Sequence, residues 1–218
     1  MTHLQLGTHA CTCAPPTSSP KRIALTGGPG AGKTAVLEMA TRLFCRHVVI
    51  LPESAGVLFG GGFPRDRAAP ALRAAQRAIF YVQRELERMQ EDACTAHIVL
   101  CDRGTIDGLA YWPGDPSDFW QDVKTTHKRE LARYDAVVHL STPTAEQGYN
   151  QQNHLRIESA EEALAIDRRI AALWKDHPRY LRIDSQADFF EKAHRALNAM
   201  AVNMPSSCVG FSPVNNLR

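Results

Sequence analysis

The sequence lacks the long apolar segments that membrane insertion requires. It contains no run of about 18 apolar residues, which a membrane-spanning helix needs, and no apolar block of the secretory type near its start. We therefore expect a cytoplasmic protein without a membrane span. The sequence also has little excess of either sign of charge, because it contains 25 Lys and Arg and 23 Asp and Glu. The formal net charge of +2 does not favour nucleic acid or an anionic membrane surface as a partner.

Acidic residues are missing from residues 1–20, which contain three prolines. This composition predicts a flexible leader, and an organellar address is the alternative, although the segment has no arginine. Residues 204–218 are rich in Ser, Pro and Asn, which predicts a flexible tail. A chain of 218 residues with 44% hydrophobic side chains can bury its own core, so we expect one folded domain over residues 21–203.

The spacing of the six cysteines does not indicate a disulfide framework. Cys45 and Cys101 lie in or beside apolar segments, which favours reduced thiols. His9, Cys11 and Cys13 form an H-x-C-x-C cluster that could bind a metal ion. No fourth ligand follows at the spacing typical of zinc sites, so a flexible segment without metal is the alternative interpretation.

Five short apolar runs alternate with longer segments of helical periodicity. The runs occupy residues 23–26, 48–51, 98–101, 136–140 and 180–183. This alternation is typical of a parallel sheet with helical crossovers. We therefore predict an α/β fold.

Three of the helical segments have recognisable limits. The longest is predicted over residues 70–93, and Ser159 with Glu162 three residues later predicts the start of another helix. Ser185 begins a similar pattern for a final helix that reaches Met200. The apolar stripe of the longest helix is expected to face the core and consists of Leu72, Ala75, Ile79, Val82, Leu86, Met89 and Ala93.

Residues 27–34 match a phosphate-binding pattern. They read G-G-P-G-A-G-K-T, as G-x-x-x-x-G-K-[ST] requires, and lie between an apolar run and a helix-compatible segment. Glycines let such a loop curl until its backbone N–H groups surround a triphosphate. The predicted cradle for ATP consists of Gly27, Gly28, Pro29, Gly30, Ala31, Gly32, Lys33 and Thr34.

Side chains around this loop are candidates for phosphate and Mg²⁺ binding. Lys33 could bridge the β- and γ-phosphates and the Thr34 hydroxyl could ligate Mg²⁺. Asp102 follows the third apolar run, where the carboxyl ends of parallel strands form a ligand crevice, and is the expected second metal ligand. Its alternative role is that of a turn residue. Arg103 either clamps phosphate or pairs with an acid, of which Asp107 is the other one in this loop.

Glu53 ends the second apolar run and is expected to reach the same crevice. A carboxylate near the nucleotide could act as the general base towards a phosphoryl acceptor, and an ordinary surface residue is the alternative. The glycine-rich, apolar residues 55–66 predict a mobile flap over a ligand, with a hinge at residues 60–62.

A third set of candidates follows the fourth apolar run. In a phosphotransferase, arginines on a closing segment neutralise charge on the transferred group and exclude water. Arg156, Arg168 and Arg169 suit that role, and solvated positions on a helix face are the alternative.

The combination of motifs resembles the NadR-like AAA-type ATPase domain family of P-loop proteins over about residues 21–200. The resemblance rests on the P-loop, on L-P-E-S at 51–54 and above all on V-L-C-D-R-G-T-I-D-G-L-A-Y-W-P-G at 99–114. It implies a three-layer fold with a five-stranded parallel sheet, similar to that of ribosylnicotinamide and deoxynucleoside kinases. It also implies that Glu53 is the general base that accepts the proton of the acceptor hydroxyl. Asp102 and Arg103 would correspond to the D-R-S-type motif that follows the third strand, and residues 156–169 would form the lid. Gly104 stands where nucleoside kinases usually have serine.

The motifs leave more than one function open. The first is a kinase that transfers the γ-phosphate of ATP to a hydroxyl of a small nucleoside-like metabolite. The second is a nucleotide-dependent switch protein with no small-molecule acceptor, although the sequence contains neither the N-K-x-D of standard GTPases nor the L-S-G-G-Q of transporter ATPases. Nucleic-acid handling has little support, because the basic stretch over residues 65–77 has no aromatic stacking platform.

Overall fold

A mostly parallel sheet forms the centre of the protein. The computed structural model describes residues 4–144, 159–185 and 188–210. Within these residues one six-stranded sheet has the order β1-β3-β4-β2-β5-β6. Its strands are β1 Gln5–Leu6, β2 Lys21–Thr26, β3 Val48–Leu51, β4 Ile98–Asp102, β5 Ala136–Leu140 and β6 Tyr180–Ile183.

The five predicted apolar runs are the five parallel strands, β2 to β6. The sixth strand, β1, pairs antiparallel with β3 through Gln5 and Leu6. The predicted five-stranded parallel sheet is therefore confirmed, with one short antiparallel strand added at its edge. That strand is only two residues long, which is too short for a hydrophobic periodicity to identify.

Helices cover both faces of the sheet. They are α1 Lys33–Leu43, α2 Ser54–Gly60, α3 Ala69–Ala93, α4 Pro116–Val123, α5 His127–Leu131, α6 Ala160–Trp174 and α7 Phe189–Ala201. Successive side chains of a strand point to opposite faces. Ile23 and Leu25 of β2 accordingly pack with α1 and α7, whereas Ala24 packs with α6. The three-layer α/β arrangement predicted from the sequence is confirmed.

Helix α3 has nearly the predicted bounds, but the predicted apolar stripe is wrong in its second half. Met89 is 44% exposed, while Glu87 is only 1% exposed. The reason is a set of polar partners: Glu87 accepts hydrogen bonds from the Tyr134 hydroxyl at 2.6 Å and from Gln83 Nε2 at 2.9 Å. A buried carboxylate is tolerated when it is paired in this way. Periodicity of apolar residues alone does not reveal such a polar face.

The starts of the last two helices show one correct and one wrong prediction. Ser159 caps α6, and Glu162 completes the capping box. The final helix starts later than predicted, because Asp188 rather than Ser185 is its N-cap. The Asp188 carboxylate accepts a hydrogen bond from the Phe190 backbone N–H at 2.8 Å. Either residue type can cap a helix, so the pattern S-x-x-D was ambiguous by three residues.

Both flanking segments contact the domain. Besides the pairing of β1, Cys45 N–H donates to Cys208 O at 2.9 Å and Gly210 N–H donates to Leu43 O at 2.7 Å. These contacts differ from the flexible leader and tail expected over residues 1–20 and 204–218, because backbone hydrogen bonds order parts of both segments. The boundaries of the domain at residues 21 and 203 stay predictions. None of the described helices combines the length and apolar character that a membrane crossing requires.

Candidate functional site

The loop between β2 and α1 has the tight curvature that its glycines allow. Gly27, Gly30 and Gly32 adopt positive φ angles of 134°, 77° and 94°. A Cβ atom on Gly27 would lie 2.0 Å from the carbonyl oxygen of Leu140 on β5. Glycine is therefore required here both by backbone conformation and by close approach of a neighbouring strand.

Lys33 and Thr34 begin α1, directly after the loop. The Lys33 ammonium donates to the carbonyl oxygens of Gly27 and Gly28 at 2.9 and 3.0 Å. Burial, together with the nearby Arg103, lowers the pKa of Lys33 to about 8. Thr34 is exposed and lines the cavity that opens beside the loop. The N-terminus of α1 thus brings a cation, a hydroxyl and the positive end of a helix dipole together.

Two buried side chains that the sequence analysis missed support the loop from behind. Asp167 on α6 accepts a hydrogen bond from the Gly28 N–H at 2.8 Å, and its Oδ1 lies 3.0 Å from His139 Nε2. Lys192 on α7 donates to the Ala31 carbonyl at 2.9 Å. Both contacts join residues more than 130 positions apart in the chain. No local sequence pattern signals such contacts.

Asp102 ends β4 beside the loop, as predicted. Its Oδ1 atom is buried and has no hydrogen-bond partner among the residues that the structure describes. Burial, together with the Glu53 carboxylate, raises the pKa of Asp102 to about 6. A buried carboxylate oxygen without a partner is costly, and a hard cation such as Mg²⁺ would satisfy it. The exposed hydroxyl of Thr34 is the second oxygen donor of the kind that Mg²⁺ prefers.

Arg103 connects the acidic residues with the loop. Its backbone has a φ of 74°, an uncommon value for a residue other than glycine. Nε donates to Glu53 Oε1 at 2.6 Å and Nη1 donates to the Gly27 carbonyl at 3.0 Å. Of the two roles left open by the sequence, the structure shows pairing with an acid, and that acid is Glu53. Asp107 lies farther from the guanidinium, with its Oδ2 3.8 Å from Arg103 Nη1, and accepts a hydrogen bond from the Thr26 hydroxyl at 2.7 Å.

Glu53 is the N-cap of α2 and lies at the carboxyl end of β3. Burial opposes its ionisation, but the charges of Arg103 and Lys33 outweigh burial, and the pKa of Glu53 is lowered. The carboxylate is therefore ionised at neutral pH. The predicted flap over residues 55–66 is wrong in its first part, because Ser54–Gly60 forms a helix. The Ser54 hydroxyl anchors that helix by donating to Gln83 Oε1 at 2.7 Å.

A buried polar network fixes the residues that follow Arg103. The Thr105 N–H donates to the Tyr134 hydroxyl at 2.7 Å, and the Thr105 hydroxyl donates to Glu130 Oε2 at 2.9 Å. Glu130 is 0% exposed. Because each of these groups has a partner, the network is expected to hold the D-R-G-T turn rigidly. Asp102 and Arg103 therefore have a fixed position at the end of β4.

Replacing Gly104 by serine is expected to destabilise the protein by about 1–3 kcal/mol, although serine is usual there in nucleoside kinases. A Cβ atom would lie 2.5 Å from Cζ2 of Trp174, which is fully buried and cannot move aside. Urea unfolding of Gly104→Ser should show the loss. Gly60→Ser is the matched control, because no atom of residues 4–144, 159–185 or 188–210 lies within 4 Å of its Cβ position. Equal stability of the two variants would show that the indole is not fixed in place.

An open cavity of about 1160 Å³ contains the loop and the residues around it. It is large enough for two small ligands or one large one. The P-loop side is lined by Pro29, Gly30, Lys33 and Thr34, next to Glu53, Asp102 and Arg103. Helices α2 and α3 and the segment after β4 add apolar, aromatic and amide side chains: Phe59, Gln76, Ile79, Phe80, Gln83 and Tyr111.

The three predicted lid arginines differ in their placement. Arg169 lines the cavity from α6 and is exposed. Arg168 is also exposed but does not line it among the described residues. Arg156 lies outside the described residues. Two further arginines, Arg65 and Arg67, also line the cavity, and Arg65 stacks over the Phe59 ring at 4.5 Å.

Residues 22–192 match the sequence model of a family described as an AAA domain. Comparison with curated proteins finds none that matches the sequence. Among solved structures, NadR protein in complex with NR is similar, with a TM-score of 0.65 and 15% identity over 91% of this chain and 54% of that chain. NadR protein in complex with NAD and AMP-PNP has a TM-score of 0.57 and 15% identity over 92% and 52% of the two chains.

A deoxyadenosine kinase from M. mycoides, with the products dCMP and dCDP, is also similar. Its TM-score is 0.56 at 14% identity, over 83% of this chain and 99% of that chain. At such identities the similarity shows the fold alone, which is the P-loop fold of the kinase type. The chain spans about half the length of the NadR chains that it matches.

Proposed function

Because the chain belongs to the AAA domain family and has a kinase-type P-loop fold, we propose that it transfers the γ-phosphate of ATP to a hydroxyl group of a small nucleoside-like acceptor. One observation carries this proposal. An ionised carboxylate, Glu53, lines the same cavity as the P-loop and is joined to it through Arg103. The cavity also extends beyond the P-loop and Glu53 to aromatic and amide side chains, which gives an acceptor room beside the carboxylate.

The donor side of the proposed reaction consists of the P-loop and its neighbours. The backbone N–H groups and the α1 dipole would bind the phosphates, and Lys33 would leave the carbonyl oxygens of Gly27 and Gly28 to bind the β- and γ-phosphates. Thr34 and Asp102 would hold Mg²⁺, which would neutralise phosphate charge. Arg103 stands beside them as a second fixed cation.

The acceptor side centres on Glu53. Its carboxylate would accept the proton of the attacking hydroxyl while the hydroxyl oxygen bonds to the γ-phosphorus and the bond to the bridging oxygen breaks, which leaves ADP. Arg103 orients that carboxylate through the 2.6 Å hydrogen bond. Aromatic rings of Phe80 and Tyr111 and the Gln76 amide line the remaining space, and they suit a flat heterocycle with hydrogen-bonding edges.

Arg169 is the proposed closing residue that the described structure supports, because it lines the cavity. From that position its positive charge would neutralise charge on the transferred phosphoryl group. Arg156 and Arg168 stay candidates for the same role. The structures of NadR with NR and of deoxyadenosine kinase with dCMP support a nucleoside-like acceptor for relatives of this fold.

Lys33→Ala is expected to weaken ATP binding by about 1.5–3 kcal/mol, because it removes a charge-assisted contact with phosphate. Isothermal titration with Mg·ATP measures the change. Lys128→Ala is the control, since it removes the same charge from the outer helix α5. Equal affinity of wild type and Lys33→Ala would contradict the proposed phosphate cradle.

The experiment that tests the proposed function measures ADP release with a panel of ribonucleosides, deoxynucleosides and ribosylated pyridines. We expect turnover with at least one of these acceptors and little in their absence. ATP hydrolysis that no acceptor accelerates would contradict the kinase and favour the switch protein. Mass spectrometry should detect one phosphorylated acceptor molecule for each ADP released.

A further inference from the structure

A second cluster of reactive side chains lies outside the cavity, where the N-terminal segment meets the turn between α1 and β3. Three thiols surround one ring nitrogen of His47. Its Nδ1 lies 2.8 Å from Cys13 Sγ, 3.5 Å from Cys11 Sγ and 3.7 Å from Cys45 Sγ. Cys13 Sγ is also 3.1 Å from Cys11 Sγ and 3.9 Å from Cys45 Sγ. The four ligand atoms all lie within 4.8 Å of one another.

We propose that Cys11, Cys13, Cys45 and His47 form a structural zinc site. With Zn–S of about 2.3 Å and Zn–N of about 2.0 Å, tetrahedral geometry places ligand atoms roughly 3.5–3.8 Å apart. Five of the six separations are 2.8–3.9 Å, and the sixth, between Cys11 Sγ and Cys45 Sγ, is within 4.8 Å, so small side-chain rotations would admit the ion. Three thiolates and one imidazole are a donor set that favours zinc over hard cations.

The surroundings are those of a closed site. Cys45 is fully buried and His47 is 9% exposed. The His97 ring packs edge-on against His47 at 5.4 Å, and its Nε2 lies 2.9 Å from the carbonyl oxygen of Ala14. This contact holds the chain next to the C-x-C pair. Four protein ligands leave no open position for a substrate, which makes the site structural rather than catalytic.

The proposal corrects the metal cluster considered from the sequence. The ligands are two pairs of the form C-x-[CH], 11–13 and 45–47, about thirty residues apart in the sequence. His9 is not among the clustered ligands, and its ring lies beside Gly210, where a Cβ atom would be 2.9 Å from His9 Nδ1. Zinc would link Cys11 and Cys13 of the N-terminal segment to Cys45 and His47, which follow the end of α1. Helix α1 begins with Lys33 of the P-loop.

The test is elemental analysis of the full-length chain, purified under reducing conditions after removal of any histidine tag. We expect about one zinc per chain in the wild type and nearly none in the double variant Cys11→Ser and Cys13→Ser. Cys94→Ser is the matched control and should retain the metal, since Cys94 is exposed and outside the cluster. Zinc loss in Cys94→Ser equal to that in the double variant would overturn the proposal.

A second measurement does not depend on the variants. Titration of metal-free wild type with Co²⁺ should give intense thiolate charge-transfer absorption that saturates at about one equivalent and disappears when zinc is added. The absence of both zinc and cobalt binding would overturn the site. So would a disulfide between these cysteines in protein purified without reductant and carrying no metal, which would make the cluster a redox pair instead. Chelation should lower the thermal midpoint of the wild type but not that of the double variant.

Discussion

The variant Glu53→Gln is expected to lower turnover by about 10²–10⁴-fold and to leave ATP affinity nearly unchanged. Glutamine keeps the size of the side chain and can still accept a hydrogen bond from Arg103, but it cannot take the proton of an acceptor hydroxyl. The nucleotide contacts belong to the P-loop, so they are preserved. Steady-state kinetics with the best acceptor, combined with titration of Mg·ATP, separates the two effects.

Glu38→Gln is the control for that experiment. It makes the same change of charge on an exposed position of α1 and should retain wild-type turnover. If Glu53→Gln is as active as Glu38→Gln, then Glu53 is an ordinary residue at the cavity wall. A loss of ATP affinity equal to the loss of turnover would instead assign Glu53 to nucleotide binding.

The variant Asp102→Asn is expected to lower turnover by about 10²–10³-fold while it raises the stability of the nucleotide-free protein. Activity falls because the amide is a poor ligand for Mg²⁺. Stability rises because the wild-type carboxylate carries a buried oxygen that has no partner within the described part of the chain. The gain should be about 1–3 kcal/mol at neutral pH. Such opposite effects on activity and stability are typical of a residue retained for function.

The pH dependence of stability gives an independent check on Asp102. Its pKa is about 6 in the folded protein, above the value of an unfolded chain. Between about pH 4 and 6 the unfolded chain releases this proton while the folded protein keeps it, so stability falls as pH rises through that window. Urea unfolding in the absence of magnesium should show this fall in the wild type and not in Asp102→Asn. Parallel pH profiles would mean that Asp102 has a partner in solution.

The parts of the fold that depend on local patterns could be predicted from the sequence. The five parallel strands were visible as apolar runs, because strands buried on both faces are continuously apolar. The P-loop was visible because its glycines are required within eight consecutive residues. The start of α6 was visible because its capping box lies within four residues. In each case the residues that produce the pattern lie close together along the chain.

The features that the sequence did not reveal depend on contacts between distant residues. In the sequence Asp167 is one charge among several on a helix, yet its carboxylate accepts a hydrogen bond from the N–H of Gly28, 139 positions away. The reason for glycine at position 104 is its close contact with the Trp174 ring, and that contact exists only when α6 is packed beside β4. The buried polar face of α3 also depends on contacts between distant residues. So does the cluster in which Cys45 and His47 lie beside Cys11 and Cys13. Burial of a polar group is decided by its partner, and a single sequence does not name that partner.

The most direct test of the account is calorimetric titration of the well-folded wild type with ATP and magnesium, compared with Lys33→Ala. We expect saturable heat with about one site per chain and clearly weaker binding in the variant. Absence of any heat of association with ATP or with the other common nucleoside triphosphates would contradict it, because the cavity around residues 27–34 would then have no polyphosphate to bind.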